Sequence, residues 1–364
     1  MILLLTFLFA VSFLTAADAV PWVIRLARSR GFLDHPGPRK IHAEPVPYGG
    51  GLAVAAGFLL PLLGGVLAAH LHLHRGWFPS LPPAISDAVA AVPGRTPLLL
   101  VYTLGSLVIL TLGLADDRRP LSPWHKLAVE SLVAAGVAVG GERLELFGLG
   151  PVPAVLFTIL WILTVTNAFN LLDHMDGLSG GVAVVAGLGF LVVAFQTHQY
   201  LIAPAAACLV GACAGFLLFN LPPARIFLGD AGSLFVGFWM ACLTVSLTFY
   251  QAPYRLYTYF VPLAILAVPL FDTAAVILLR LRRGRPIFEG DTNHLAHRLT
   301  ALGLRPLPAV LTIYALSLST VLSAALLYHV GEAGAWIVLA QLLLTFGIIT
   351  LLEAAGRARP SRDA

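Results

Sequence analysis

The sequence predicts an all-α integral membrane protein: a polytopic bundle of about eleven transmembrane helices, forming a single domain over residues 1–364. Three observations predict it. The chain is 59% hydrophobic and only 11% charged, with a mean hydropathy of +0.89, where soluble domains carry roughly 25% charged residues. Apolar runs long enough to cross a ~30 Å hydrocarbon core recur from end to end. The basic residues between those runs fall overwhelmingly on alternate connections, as the positive-inside rule requires.

The first run, Ile2 to Ile24, has no basic segment before it and reads as a retained span rather than a cleaved leader. Arg25, Arg28, Arg30, Arg39 and Lys40 follow, which puts this end in the cytoplasm and the N-terminus outside. Further spans are predicted at Tyr48–Ala69, Pro97–Ala115, Lys126–Val139, Pro153–Asn170, Leu178–Phe195, Leu201–Phe219, Ser233–Tyr250, Tyr259–Leu279, Leu307–Tyr328 and Ala335–Leu352. This path ends in the cytoplasm. All of the 22 lysines and arginines except Arg75, Arg95, Arg143 and Arg255 then lie on the cytoplasmic side. The formal charge of +4 therefore sets topology, and no nucleic-acid partner is expected. Cys208, Cys213 and Cys242 lack the paired spacing of zinc or redox motifs and read as core residues. Gly136/Gly140 and Gly211/Gly215 each form a GxxxG, read as close helix packing. His70, His72 and His74 read as a solvated outer loop and are assigned no metal.

Polar chemistry gathers at the cytoplasmic ends. Between Thr166 and Leu178, the residues Asn167, Asn170, Asp173 and Asp176 recur every three positions, about 60° apart per step on a helix, so neighbours touch. Ionisable groups beside a membrane span pair, meet water or bind a ligand. Asp116 and Asp117 close the third span, where two acids oppose the helix dipole and call for a cation. Ser122-Pro123 opens the next helix. Lys126, one of two lysines in the chain, sits in its first turn and has the mirrored need for an anion. Gly229-Asp230-Ala231-Gly232-Ser233 leads into another span, where glycines permit close approach and the free N–H groups of a helix start can face phosphate; Asp230 also fits an N-cap. Phe227 precedes it and can stack on a base or anchor at the interface. In Asp291 to Arg298, His294, His297 and Arg298 share one face if helical, suited to a pyrophosphate. Arg280, Arg282, Arg283 and Arg285 read as topology determinants.

Taken in order, these stretches resemble the polyprenyl-phosphate N-acetylhexosamine-1-phosphate transferases, the MraY/WecA superfamily or glycosyltransferase family 4. The motifs are RKIH…PxPxGG at Arg39 to Gly50, DD…K at Asp116 to Lys126, TNxxNxxDxxDGL at Thr166 to Leu178, NxPPAxxFxGDxGS at Asn220 to Ser233, and DxxHxxHRL at Asp291 to Leu299. The last motif and Arg39 to His42 look most like the branch that uses UDP-GlcNAc and undecaprenyl phosphate. The resemblance implies transfer of an N-acetylhexosamine 1-phosphate, GlcNAc-1-phosphate by that branch, from a UDP-sugar to undecaprenyl phosphate. UMP is released and a lipid-linked cell-envelope glycan is begun, at the cytoplasmic face of the bacterial inner membrane. It further implies magnesium, with manganese as a substitute, held by Asp230 and Asp173. Asp116, Asp117, Asp173 and Asp176 are the implied catalytic residues. Lys40, His42, Lys126, Asn167, Asn170, Phe227, His294, His297 and Arg298 are the implied substrate contacts, with Phe227 beside the uracil and the histidines and Arg298 on the diphosphate. Membrane lipid is a further partner, and a homodimer is compatible with the pattern. Two positions depart from the family, His174 for its usual glycine and Ala296 for a further histidine.

Other readings compete. The phospho-N-acetylmuramoyl-pentapeptide transferases of peptidoglycan synthesis share the chemistry. A secondary transporter shares the many spans, but coupling acids usually sit near the midplane, and here nearly all membrane-proximal acids cluster at the cytoplasmic face, with Glu130, Asp272 and Glu353 as the ambiguous exceptions.

Overall fold

The computed structural model describes residues 1–36, 44–77, 80–140, 142–144, 150–199, 202–247, 249, 256–288 and 294–357, with side chains to residue 351. The chain divides into two compact units, Met1–Thr248 and Phe249–Ala364.

The first unit runs α1 (Ile2–Ser29), β1 (Leu33–Asp34), β2 (Val46–Pro47), α2 (Gly50–Arg75), α3 (Pro83–Arg118), α4 (Pro123–Gly140), α5 (Pro151–Leu172), α6 (Leu178–Gln196), α7 (Ala203–Asn220) and α8 (Gly229–Ser246). The two short strands form an antiparallel pair, Leu33 opposite Pro47. Helix α8 is the axis of the unit: every residue from Ala231 to Val245 is buried, as expected of a helix apolar all round. It packs on α2, α3, α5 and α6, while α1 packs on α2 and α7. Trp239 of α8 meets Phe58 of α2 edge to face, with centroids 4.5 Å apart, and Tyr102 of α3 at 6.0 Å.

The second unit holds a 3₁₀ turn (Leu256–Phe260), α9 (Val261–Ile265), α10 (Ala267–Arg282), α11 (Leu295–Ala301), α12 (Pro306–Leu326) and α13 (Glu332–Arg357). Helix α12 packs on α9, α10, α11 and α13.

Nine of the described helices are long and apolar enough to cross a membrane, or ten if Leu256–Ile265 and Ala267–Arg282, bent by 75°, form one span. The sequence predicted about eleven. The difference is α4, whose first half carries His125, Lys126 and Glu130 and is too polar to qualify by composition.

Three expectations are corrected. Helix α3 begins at Pro83, not Pro97. The segment before Pro97, expected to lie outside the span, continues the helix, with Ile85, Val89, Val92 and Thr96 recurring at helical spacing. His70, His72 and His74 are not in a loop; they lie in the last two turns of α2, where Nδ1 of His70 lies 3.0 Å from the Val66 carbonyl oxygen. Of the two GxxxG pairs, Gly211 and Gly215 are close-packed as predicted. A Cβ there would lie 2.4 Å from the Phe9 carbonyl oxygen and 2.2 Å from that of Phe13, in α1. Gly136 faces open space instead.

The same device brings backbones together at the start of α8. A Cβ on Gly51 of α2 would fall 2.3 Å from the Gly232 nitrogen, and one on Gly113 of α3 would fall 2.4 Å from the Ala231 nitrogen and Cα. Without side chains between them, three helices meet peptide to peptide, the close approach that small residues permit in membrane bundles.

Candidate functional site

The site is built where α3, α5 and α7 end and α2, α4, α6 and α8 begin, all at one end of the first unit. The link between α7 and α8 is tied down first. Asn220, buried at the last position of α7, accepts from the Gly177 N–H at 2.9 Å and donates to the Ile226 carbonyl at 2.9 Å. Asp176 accepts from the Ala224 N–H at 2.9 Å. Phe227 donates its N–H to the Pro47 carbonyl at 2.9 Å, and its own carbonyl accepts from the Gly50 N–H at 2.9 Å. Its half-buried ring meets the Tyr48 ring at 6.0 Å.

Helix α8 then starts at Gly229, whose φ of +72° suits glycine. Its first N–H groups have no partners within the helix, and carboxylates from two other helices take them. Asp117 of α3 accepts from the N–H groups of Asp230 at 2.7 Å and Ala231 at 3.1 Å. Asp173, just beyond α5, faces the Gly229 N–H, which favours its charged form. This overturns two expectations. Asp230 is a first-turn residue and not the N-cap, which is Leu228. The helix start expected to face phosphate already holds protein carboxylates, which its positive dipole end favours as it would any anion.

Lys126 resolves the clash of dipoles predicted at both ends. Its ammonium donates to Asp116 at 2.7 Å and to Asp230 at 2.8 Å. The other oxygen of Asp116 accepts from the Leu121 N–H at 2.6 Å, fixing the turn between α3 and α4. Asn170 donates to Asp230 at 3.0 Å and lies 3.0 Å from the Ser233 hydroxyl, which in turn donates to the Gly229 carbonyl at 2.9 Å. Asp173 titrates well above the usual carboxylate range, first because packing strips it of water and then because Asp230, Asp117 and Asp176 add negative charge around it.

One turn deeper, Asn167 donates to Glu130, a carboxylate of α4 only 2% exposed, and to the Leu163 carbonyl at 3.0 Å. Glu130 and Asn220 were missed as site residues, although an acid inside an apolar run was a signal for the first.

The structure thus brings together Asp116, Asp117, Lys126, Asn170, Asp173 and Asp230, with Asp176, Phe227 and Asn167 adjacent along the chain or one turn away. Lys40 and His42 lie outside the described residues. His174 directs Nδ1 toward the Leu171 carbonyl at 3.0 Å. His294, His297 and Arg298 belong to the second unit. There Asp272, 1% exposed, is hydrogen-bonded to His294 Nδ1 at 2.9 Å, accepts from the Leu295 N–H at 2.6 Å and lies 3.6 Å from Arg298. His294 is the N-cap of α11, with His297 and Arg298 within the helix. Ala296 is fully buried, so a histidine there would be a buried group and not a solvent-exposed donor.

The chain is similar to several known proteins. A family model described as glycosyl transferase family 4 matches residues 99–248, the stretch from mid-α3 through α8. A protein of Bacillus subtilis named probable undecaprenyl-phosphate N-acetylglucosaminyl 1-phosphate transferase is 31% identical, covering 95% of this chain and 89% of its own. The decaprenyl-phosphate N-acetylglucosaminephosphotransferase of Mycolicibacterium smegmatis is 32% identical over 81% of this chain and 75% of its own. The undecaprenyl-phosphate alpha-N-acetylglucosaminyl 1-phosphate transferase of Escherichia coli K12 is 26% identical over 93% and 87%. Identity of this degree along nearly the whole chain, with the motif carboxylates converging at the start of α8, shows that the protein belongs to glycosyl transferase family 4, the polyprenyl-phosphate N-acetylhexosamine-1-phosphate transferases.

Proposed function

We propose that the protein transfers GlcNAc-1-phosphate from UDP-GlcNAc to undecaprenyl phosphate, releasing UMP, at the cytoplasmic face of a bacterial inner membrane. The observation that carries this reading is the convergence of Asp116, Asp117, Asp173, Asp230 and Lys126 on one helix start, in a chain whose relatives bear that activity in their names. Those names favour GlcNAc over the muramoyl-pentapeptide substrate. Gathering the acids at one end of the bundle, and not at a midplane, argues against coupled transport. Orientation follows from charge: Arg25, Arg28, Arg30, Arg118, Arg119 and Arg225 lie at the same end of the first unit as the site, and Arg75, Arg95 and Arg143 at the other.

In the reaction a lipid phosphate oxygen attacks the β-phosphorus of the sugar nucleotide, the bond between that phosphorus and the bridging oxygen breaks, and UMP leaves with the oxygen. A phosphate monoester with a second pKa of about 6 is largely dianionic near neutral pH and needs no strong base. Asp117 is accordingly read as a positioning group, since both its oxygens hold the N–H groups that begin α8. Asp116 is similarly engaged by Leu121 and Lys126. Lys126 offers positive charge to the phosphates, and Asn170 orients Asp230. His294, His297 and Arg298 are read as phosphate-binding groups of their own unit.

The donor set suits magnesium or manganese. Four carboxylates (Asp116, Asp117, Asp173 and Asp230) meet one paired ammonium, Lys126, among the described residues, and hard oxygen donors select such ions. Asp230 and Asp173 would hold the ion, which supplies charge to neutralise the diphosphate. The test is to incubate purified protein in detergent with undecaprenyl phosphate, Mg²⁺ and a panel of UDP-sugars. UMP release is expected with UDP-GlcNAc and abolished by chelator; no release with any sugar refutes the reading.

A further inference from the structure

We propose that Glu130 is a positioning residue that turns Asn167 into a hydrogen-bond acceptor aimed at an O–H or N–H group of the sugar nucleotide. The proposal deepens the functional reading above and rests on it. Its starting point is the Asn167 amide. The nitrogen Nδ2 lies 3.0 Å from the Leu163 carbonyl oxygen, and a carbonyl can only accept, so the NH₂ group and not the oxygen must face it. The second proton of the same nitrogen goes to Glu130 Oε2. Both donors are thereby consumed. What Asn167 retains is Oδ1, which accepts no hydrogen bond among the described residues and is not sealed off in the interior, for the side chain keeps intermediate exposure.

That leaves a fixed acceptor one helical turn from Asn170, which touches Asp230. Such an oxygen repels phosphate oxygens and attracts donors. Of the two substrates, the lipid presents at its reacting end only phosphate oxygens, largely ionised near neutral pH. The sugar nucleotide presents hydroxyls and amide N–H groups. The chemistry therefore selects the nucleotide sugar as the partner of Asn167.

The cost of the arrangement supports a purpose for it. Glu130 is 2% exposed and its other oxygen, Oε1, is buried with no hydrogen-bond partner. Buried carboxylates in membrane helices are costly and are kept where they serve a site. Glu130 follows Lys126 by four residues on α4, so the two share a face. α4 and α5 therefore present two rungs, Lys126 with Asn170 at the rim and Glu130 with Asn167 beneath it.

The experiment measures initial rates of UMP release for full-length wild type, E130L, E130Q, N167A and E130L/N167A. UDP-GlcNAc is varied at saturating lipid, then the lipid at saturating UDP-GlcNAc, and then Mg²⁺. E130L is expected to raise the KM for UDP-GlcNAc about tenfold, the weight of one hydrogen bond, with kcat changed less than about threefold and the lipid KM and Mg²⁺ requirement unmoved. N167A should do the same, and the double variant should be no worse than N167A, since both remove one interaction. E130Q, whose amide oxygen still accepts from Asn167, should recover most of the loss. Additive effects of E130L and N167A, an E130Q as impaired as E130L, or a shift in lipid KM or Mg²⁺ requirement overturns the role. If E130L yields no folded protein, N167A and E130Q decide it by the same criteria. A wild type that releases no UMP would sink the functional reading and this inference with it; a normal wild-type rate with additive variants would sink the inference alone.

Discussion

Replacing Gly113 by alanine tests whether the peptide-to-peptide contact between α3 and α8 sets the site. The added methyl carbon would lie 2.4 Å from the Ala231 nitrogen and Cα and 2.5 Å from the Asp230 carbonyl carbon. All three are backbone atoms, which cannot rotate away. Restoring ordinary contact at 3.4 Å or more requires the helices to part by about 1 Å, given that carbon atoms prefer roughly 3.5–4.0 Å. Asp117 sits four residues on from Gly113 in α3, and the same displacement would stretch its 2.7 Å bond to the Asp230 N–H past the hydrogen-bonding limit. Overpacking of this kind costs about 1–3 kcal/mol, and a misplacement of about 1 Å at a reacting centre costs on the order of 100-fold in rate. The assay is UMP release per folded protein, with thermal unfolding measured in the same detergent. Gly136→Ala is the control, since its methyl would meet nothing within 4 Å and should change turnover less than about twofold. If Gly113→Ala turns over like wild type, the backbone contact does not position the acids and the reasoning fails.

Lys126→Met should leave Asp116 and Asp230 facing each other unpaired; a loss of about 2–3 kcal/mol in stability is expected, the low end for breaking a buried pair because Asp230 is 32% exposed, and an unchanged unfolding midpoint would contradict it. Asp173→Asn bears on pH. Because the folded-state pKa of Asp173 is raised, its contribution to stability is full below the ordinary carboxylate pKa of about 4 and is lost as pH rises through the raised value. In chelator the variant should therefore gain on wild type in unfolding temperature as pH rises, whereas parallel curves would show no such shift. Mg²⁺ at 100 times its dissociation constant should stabilise wild type by about 2.7 kcal/mol and Asp230→Asn far less; equal gains would place the ion elsewhere.

Much of the site was legible from residue type and spacing. The unbalanced dipoles at Asp116-Asp117 and at Lys126 each called for an opposite charge, and they supply one another. One helix start was legible from Ser122-Pro123, where α4 begins. What could not be read was which acid meets which backbone. Asp117 and Asp230 are separated by 113 positions, and nothing local in either stretch says that one will cap the other's helix. The start of α3 was not legible: the span is expected from Pro97, yet the helix runs from Pro83 through both Pro93 and Pro97. Asp272 read as an ambiguous acid because its partners, His294 and the Leu295 N–H, lie more than twenty residues away.

The floor beneath the carboxylates is made of main chain: Gly51 against Gly232, and Gly113 against Ala231. A surface of this kind carries no side-chain identity that selection could trade for another of similar size. Because those peptide groups are buried against one another, the carboxylates rest on a base that point substitution can scarcely rewrite: every replacement at 51 or 113 drives atoms into a neighbouring backbone.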